Sequence, residues 1–146
     1  MQLSLPFCYI HVGFCLANSC PQGYRPYTCS SCINFAKNVQ AFSNSLCGEN
    51  GALVQIEHST QLDTLRKYVD VLDHDRYWIG YEIKSGMAES TSNSIQSPLV
   101  TMLLNSQTQS CTENCCVAVQ SDGLTSVKCD EELPYICSMT FNCKEM

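Results

Sequence analysis

Cys116-Val117-Ala118-Val119, then Asp122-Gly123, then Cys129-Asp130-Glu131-Glu132-Leu133-Pro134-Tyr135-Ile136-Cys137 follow one another close to the C-terminal end of this 146-residue chain. Asp-Gly between two apolar runs, 117–119 and 124–127, predicts a hairpin, because tight hairpin turns need the positive φ that such residues tolerate. Residues 133–139 read as the last strand. The cysteines bracket these strands, and the whole chain holds 12 of them. Cysteine at that density in a short chain implies crosslinks, and crosslinks persist in an oxidising compartment. The expectation is a secreted, extracellular domain.

Composition narrows the class. Hydrophobic residues make up 45% of the chain, enough for a core that disulfides reinforce and do not replace. Eight basic residues stand against fourteen acidic ones, for a formal charge of −6, and no Lys/Arg cluster is visible. That excludes a nucleic-acid surface and electrostatic docking on anionic lipid. Residues 1–17 are apolar, carry no acidic residue and end in Cys15-Leu16-Ala17, a small-residue site of the kind signal peptidase prefers. The expectation is a signal peptide over 1–17 and a single domain over 18–146. The competing reading is an N-terminal strand, since no Lys or Arg follows Met1. The apolar stretch is too short to span a bilayer as a helix, so membrane insertion is not expected.

Upstream of the hairpin the elements are legible in outline. Cys20-Pro21-Gln22-Gly23-Tyr24 is turn-rich and suits a short hairpin. Phe35, Ala36, Val39, Phe42 and Leu46 fall at helical spacing, predicting a first helix that stops at Cys47-Gly48. Asn50-Gly51 reads as a tight turn and 53–56 as a short strand. Leu62, Leu65, Tyr68, Val69 and Leu72 form one apolar stripe, predicting a second helix capped by Ser59 or Thr60, with Asp63 in its first turn. Tyr77-Trp78-Ile79-Gly80-Tyr81 reads as a buried strand. Residues 82–114 then form a long stretch rich in Ser, Thr, Asn and Gln, of the kind that carries function in a compact domain. Inside it lies an uncharged apolar run, 99–104, which is either a strand packed on the core or an apolar patch facing another protein.

Taken in order, Cys20-Pro-Gln-Gly-Tyr24, Cys47, Gly51-Ala-Leu-Val-Gln-Ile56, Trp78-Ile-Gly-Tyr81, Cys116-Val-Ala-Val119 and the Cys129/Cys137 pair resemble the C-type lectin-like domain in its long form. The resemblance implies an α+β fold, two helices flanking a twisted, mostly antiparallel sheet, with a long loop region carrying the ligand surface. It also implies crosslinks Cys47 to Cys137, Cys116 to Cys129 and, at the N-terminal hairpin, Cys20 to Cys32, with Cys20 to Cys29 left open. Cys29, Cys111, Cys115 and Cys143 have no assigned partner, and one of them is available for an interchain bridge.

The departures from the family bear on function. Sugar-binding members hold calcium with Glu-Pro-Asn or Gln-Pro-Asp in the long loop and Trp-Asn-Asp before a core cysteine. Here those places read Gln96-Ser97-Pro98-Leu99 and Leu124-Thr125-Ser126. Calcium wants several oxygen ligands with carboxylates among them, and neutral hydroxyls are weak substitutes. The expectation is therefore a non-catalytic binding module without metal or other cofactor, directed at an extracellular protein or at its own kind. Gln96, Leu99, Met102, Leu104, Asn105, Thr125 and Ser126 are the candidate contact residues. The alternative is a glycan bound by a non-standard site, with Gln96, Asn105, Gln107 and Gln109 as hydrogen-bonding groups. Cys29-Ser-Ser-Cys32 lacks the second half of a zinc site and reads as structural. Asp73-His74-Asp75 reads as a solvated turn, and no nucleophile with a placed base is evident.

Overall fold

The computed structural model describes residues 20–49, 51–105 and 111–140. In chain order the elements are β1 Arg25–Thr28, β2 Ser31–Phe35, β3 Gly51–Leu53, α1 Ser59–Asp70, β4 Arg76–Lys84, β5 Met87–Ser90, α2 Pro98–Asn105, β6 Cys115–Gln120, β7 Gly123–Lys128 and β8 Ile136–Thr140. They build two antiparallel sheets, with strand orders β1-β2-β8-β3 and β5-β4-β6-β7. The expected α+β architecture, two helices on antiparallel sheet, is what forms.

Strand alternation explains why the second sheet sits at the centre. Successive side chains of a strand point to opposite faces. On β4, Tyr77, Ile79 and Tyr81 enter one apolar cluster while Trp78 enters another; on β6, Val117 and Val119 join the first while Cys116 and Ala118 join the second. Both faces of β4 and β6 are thus covered, which is why these segments read as continuous apolar runs. The helix α1 lays Leu62, Leu65 and Val69 on the first cluster, and α2 adds Val100 and Leu104.

Trp78 couples the two sheets. Its ring is fully buried and meets Phe42 edge to face, centroids 5.4 Å apart. Its Nε1 donates to the Gln40 carbonyl at 2.9 Å, and its backbone N–H donates to the Pro134 carbonyl at 2.8 Å. Gln40 in turn exchanges both backbone hydrogen bonds with Leu133. A buried indole needs a partner for its N–H, and here that need fixes an otherwise irregular segment against the sheet. Two residues on, Gly80 permits a close backbone approach. A Cβ there would stand 2.7 Å from the Leu53 carbonyl oxygen and 3.2 Å from that of Val54. Gly80 N–H donates to Val54 O at 2.8 Å, and its own carbonyl accepts from Thr91 N–H at 3.0 Å.

The structure corrects several expectations. No helix forms over 35–47. Phe35 ends β2, whose partner is β8, and Ala36, Gln40 and Phe42 donate in succession to Tyr135, Leu133 and Cys129. A short 3-10 turn at Phe42–Asn44 is the helical content of this stretch. The helical spacing was coincidental: Phe42 is buried, whereas Val39 and Leu46 are exposed, and pairing with residues 129–135 outweighs the weak helix propensity of Asn38, Ser43, Asn44 and Ser45. The two helices are therefore α1 and α2, not the pair expected. In α1, Ser59 and Thr60 lie inside the helix and His58 is the N-cap, with Gln61 Oε1 accepting from the Glu57 N–H at 2.7 Å. Asp63 falls beyond the first turn. The 53–56 strand shifts to Gly51–Leu53, and the stretch 82–114 is not one loop, because it contains the end of β4, β5 and α2. Asn50 and residues 1–17, with the signal-peptide expectation, lie outside the described residues.

A methyl group at Gly80 has only backbone to displace. Gly80→Ala is expected to destabilise the domain by about 3 kcal/mol, read as a loss of urea midpoint with unchanged slope, while Gly86→Ala, in open space but at φ +79, costs about 1 kcal/mol.

Candidate functional site

The region between β4 and β6 is where the resemblance places a ligand surface, and it is more ordered than its composition suggested. Lys84 and Met87 pair across a two-residue turn in which Ser85 and Gly86 both have positive φ, 52° and 79°. That is the geometry of a tight hairpin, and Ser-Gly was its unread signal. Residues 91–97 cross back, with Ser90 N–H donating to Ile95 O and Ser97 N–H to Ala88 O. Ser97 Oγ then accepts from Val100 N–H at 3.1 Å, and Pro98 opens α2. Ser followed by Pro is a helix-start signal, and it makes the 99–104 run a helix, which corrects the strand that was one of its two readings. Thr101 Oγ1 accepts from Ala88 N–H at 2.9 Å and donates to Ser97 O at 2.7 Å, which rivets α2 to β5.

The candidate residues divide by helical and strand phase. Leu104 is buried and Leu99 is half-buried against the core, while Met102 points outward at 60% exposure. Ile95, just before the helix, is 62% exposed. Gln96 is exposed and bridges Glu89 at the β5 edge. On β7, Thr125 pairs with Ala118 and Ser126 with Val117, so the two hydroxyls lie on opposite faces. Ser126 is only 2% exposed and lies on a depression of about 500 Å³ that also touches Ser85, Thr101, Leu104 and Glu113. Leu104 and Ser126 are thus brought together; Gln96, Met102 and Thr125 are not part of that depression. Asn105 closes α2, and Gln107 and Gln109 lie outside the described residues. Sequence reasoning missed Thr101, whose signal was the same Ser-Pro start that makes it an i+4 partner of Ser97.

The base of this region is held by polar bonds and sulfur. Tyr81 hydroxyl accepts from Ile56 N–H at 2.9 Å, Gln55 Nε2 donates to Ser90 Oγ at 2.7 Å and also to Ser92 Oγ, and Tyr27 hydroxyl donates to the Gln55 carbonyl. Burial pushes the Tyr27 and Tyr81 hydroxyls above the ordinary tyrosine value, with Glu57 adding in the same direction. The described disulfides are Cys20–Cys32, Cys47–Cys137, Cys116–Cys129 and Cys111–Cys115. Cys29, the other candidate for Cys20, is itself disulfide-bonded. The adjacent Cys115 and Cys116 go to different partners, one closing a short ring after α2 and the other pinning β6 to the end of β7. Cys143 lies outside the described residues.

A profile of the Lectin C-type domain matches residues 37–139. The chain belongs to that family. Among curated proteins none matches by sequence. Solved structures similar to this lectin domain include one described as an SPL-1–GlcNAc complex, at 19% identity, TM-score 0.64, covering 82% of this chain and 94% of that one. Human lithostathine is similar at 18% identity, TM-score 0.62, with 83% and 99% covered. The mouse scavenger receptor C-type lectin carbohydrate-recognition domain is similar at 14% identity, TM-score 0.62, with 86% and 99% covered. At these identities the likeness speaks to fold. Among the described residues no helix is long and apolar enough to cross a membrane.

Loop length orders the disulfides in the chain-entropy picture. Cys47–Cys137, with a separation of 90, contributes about 4.5 kcal/mol, Cys116–Cys129 about 3 and Cys111–Cys115, with a separation of 4, about 2. Limiting reductant followed by alkylation and peptide mass spectrometry is expected to label Cys111 and Cys115 first. The tyrosines give a second expectation. Because the folded values are raised, their contribution is intact below the unfolded value of about 10 and is lost as pH climbs towards the folded values. Tyr27→Phe should flatten that alkaline loss in a stability–pH profile while costing about 1 kcal/mol at neutral pH.

Proposed function

We propose that this lectin domain is a secreted, non-catalytic recognition module that binds a protein partner, or a second copy of itself, at extracellular surfaces without calcium. The observation that carries the reading is the division of the α2 region into a covered polar face and an uncovered apolar one. Ser126, at the position of the family's acidic ligand, is 2% exposed with α2 packed on its strand, whereas Met102 and Ile95 are 60% and 62% exposed. Exposed methionine and isoleucine beside a rim of neutral polar side chains suit a protein contact better than a sugar hydroxyl.

The donor set does not fit calcium. Thr125 and Ser126 lie on opposite faces of β7, and Glu89 is engaged by Lys84 at 3.4 Å. Glu113 is the single carboxylate on the Ser126 depression among the described residues. A hard divalent cation bound by one carboxylate and neutral hydroxyls would be held weakly. Disulfide density supports an oxidising, extracellular setting for the module.

A second reading, glycan binding through a site of different design, is favoured by one observation. Two of the similar structures are named for a sugar, the SPL-1–GlcNAc complex and the carbohydrate-recognition domain, and Gln96 offers an exposed amide here.

Calcium at about 5 mM against chelator is expected to move the thermal midpoint by less than about 1 °C, since a ligand that does not bind the native state does not stabilise it. A glycan array run in both conditions should show no chelator-sensitive signal. A midpoint rise with calcium, together with sugar binding that chelator abolishes, would sink the calcium-free reading. Chelator-resistant glycan signal lost in Gln96→Ala would favour the second.

A further inference from the structure

A concavity whose lining includes no α2 residue lies between the irregular segment 41–49, the edge strand β3 and Glu82 of β4. It has a volume of about 870 Å³ and is lined by Cys47 of one core disulfide and by Cys116 and Cys129 of the other. Residues 36–42 run irregularly beside 129–135, bonded at Ala36, Gln40 and Phe42, instead of forming a helix, and the chain then turns at 42–48 along the groove. Its lining is mainly apolar, and Leu46, at 74% exposure, stands on its rim. Glu49, Glu82 and Asp130 add three carboxylates, and among the described residues no Lys, Arg or His lines it. Among the described residues none of the three takes part in an ion pair, the two pairs being Arg66–Asp63 and Lys84–Glu89.

We infer that this groove is a docking site for a short basic segment of a partner protein, one that carries Lys or Arg flanking an apolar side chain. The groove supplies both halves of the recognition. The exposed Leu46 and the wall formed by Ala52 and Leu53 of β3 offer apolar contact. The three carboxylates, backed by the chain's formal charge of −6, select and steer a cation. A second copy of this chain is a poor occupant by charge, since like-charged surfaces meeting in a groove repel. The inference goes beyond the α2 reading and does not rest on it, since the groove and the Ser126 depression share only Asn114 among their lining residues.

The probe is a fluorescein-labelled hexapeptide alternating arginine and leucine, with its glutamate–leucine counterpart as control, measured by anisotropy on the full chain. The basic peptide should bind and the acidic one should not, and raising salt from about 0.05 to about 0.5 M should weaken binding by about tenfold as screening shortens the reach of the carboxylates. Leu46→Ser combined with Asp130→Asn should weaken it by about tenfold, and Glu82→Gln alone by a few fold. Equal binding of both peptides, or affinity within about twofold of the parent in the double variant, overturns the inference. Should the double variant not fold, hydrogen exchange on the unaltered protein decides. Protection on 42–48 and 51–53 upholds the groove, and protection confined to α2 overturns it. A dimer in light scattering that Leu46→Ser dissociates would assign the groove to a second copy and overturn the basic-partner inference.

Discussion

The fold depends on the way Trp78 is anchored. The indole N–H cannot be buried without an acceptor, and the acceptor it finds is the carbonyl of Gln40 in a segment with no regular structure of its own. Through Gln40 and its exchange with Leu133, and through the bond from Trp78 N–H to Pro134, the N-terminal sheet and the central sheet are held at one relative position. The ring itself fills the second cluster beside Phe42, Cys116 and Cys137. Removing a buried tryptophan typically costs about 3–5 kcal/mol, and here the loss would fall on the junction that both core disulfides also secure.

Gly80 extends the same constraint towards the candidate face. Because it has no side chain, the backbone of Leu53 and Val54 approaches closely, the Val54 carbonyl accepts from the Gly80 N–H, and the Gly80 carbonyl is left to receive Thr91. The stretch that leaves the sheet after β5 is thus fixed at its first residue by backbone, then by Gln55 against Ser90 and Ser92. The α2 region is therefore presented from a fixed base. The helix turns Val100 and Leu104 inward and Met102 outward, so the outward apolar surface is a consequence of helical phase on that base. The groove lined by 41–49 and β3 has a different origin, in an irregular segment held against 129–135 where its spacing suggested a helix.

Covalent and noncovalent restraints divide the work. Cys47–Cys137 closes a loop across most of the domain and ties the irregular 41–49 segment to β8; Cys116–Cys129 holds the β6–β7 hairpin. Cys47, Cys116 and Cys129 line the acidic groove. Cys111–Cys115 closes a small ring whose entropic contribution is the least among the described disulfides, and it shapes the rim beside Ser126.

Patterns with a short physical range were legible in the chain. Alternation around Asp122-Gly123, the stripe of Leu62, Leu65 and Val69, and the ordered set of glycine, tryptophan and cysteine positions each encode a local geometry, and together they pointed to the family and its antiparallel strands. Contacts between residues far apart in sequence were not legible. Phe35, Val39 and Phe42 carry a helical spacing, yet the backbone hydrogen bonds offered by residues 129–135 outcompete it, and no local signal reports a partner so distant along the chain. The run 99–104 reads as a core-packed strand or an outward apolar patch, because an uncharged apolar run reports neither period nor facing; it forms a helix that docks on β5 and β7, with Thr101 bonded to Ala88. Ser126 shows the same divide. Its chemistry was plain from its letter, while its burial under α2, and the outward turn of Met102, were fixed by how an upstream helix packs upon its strand.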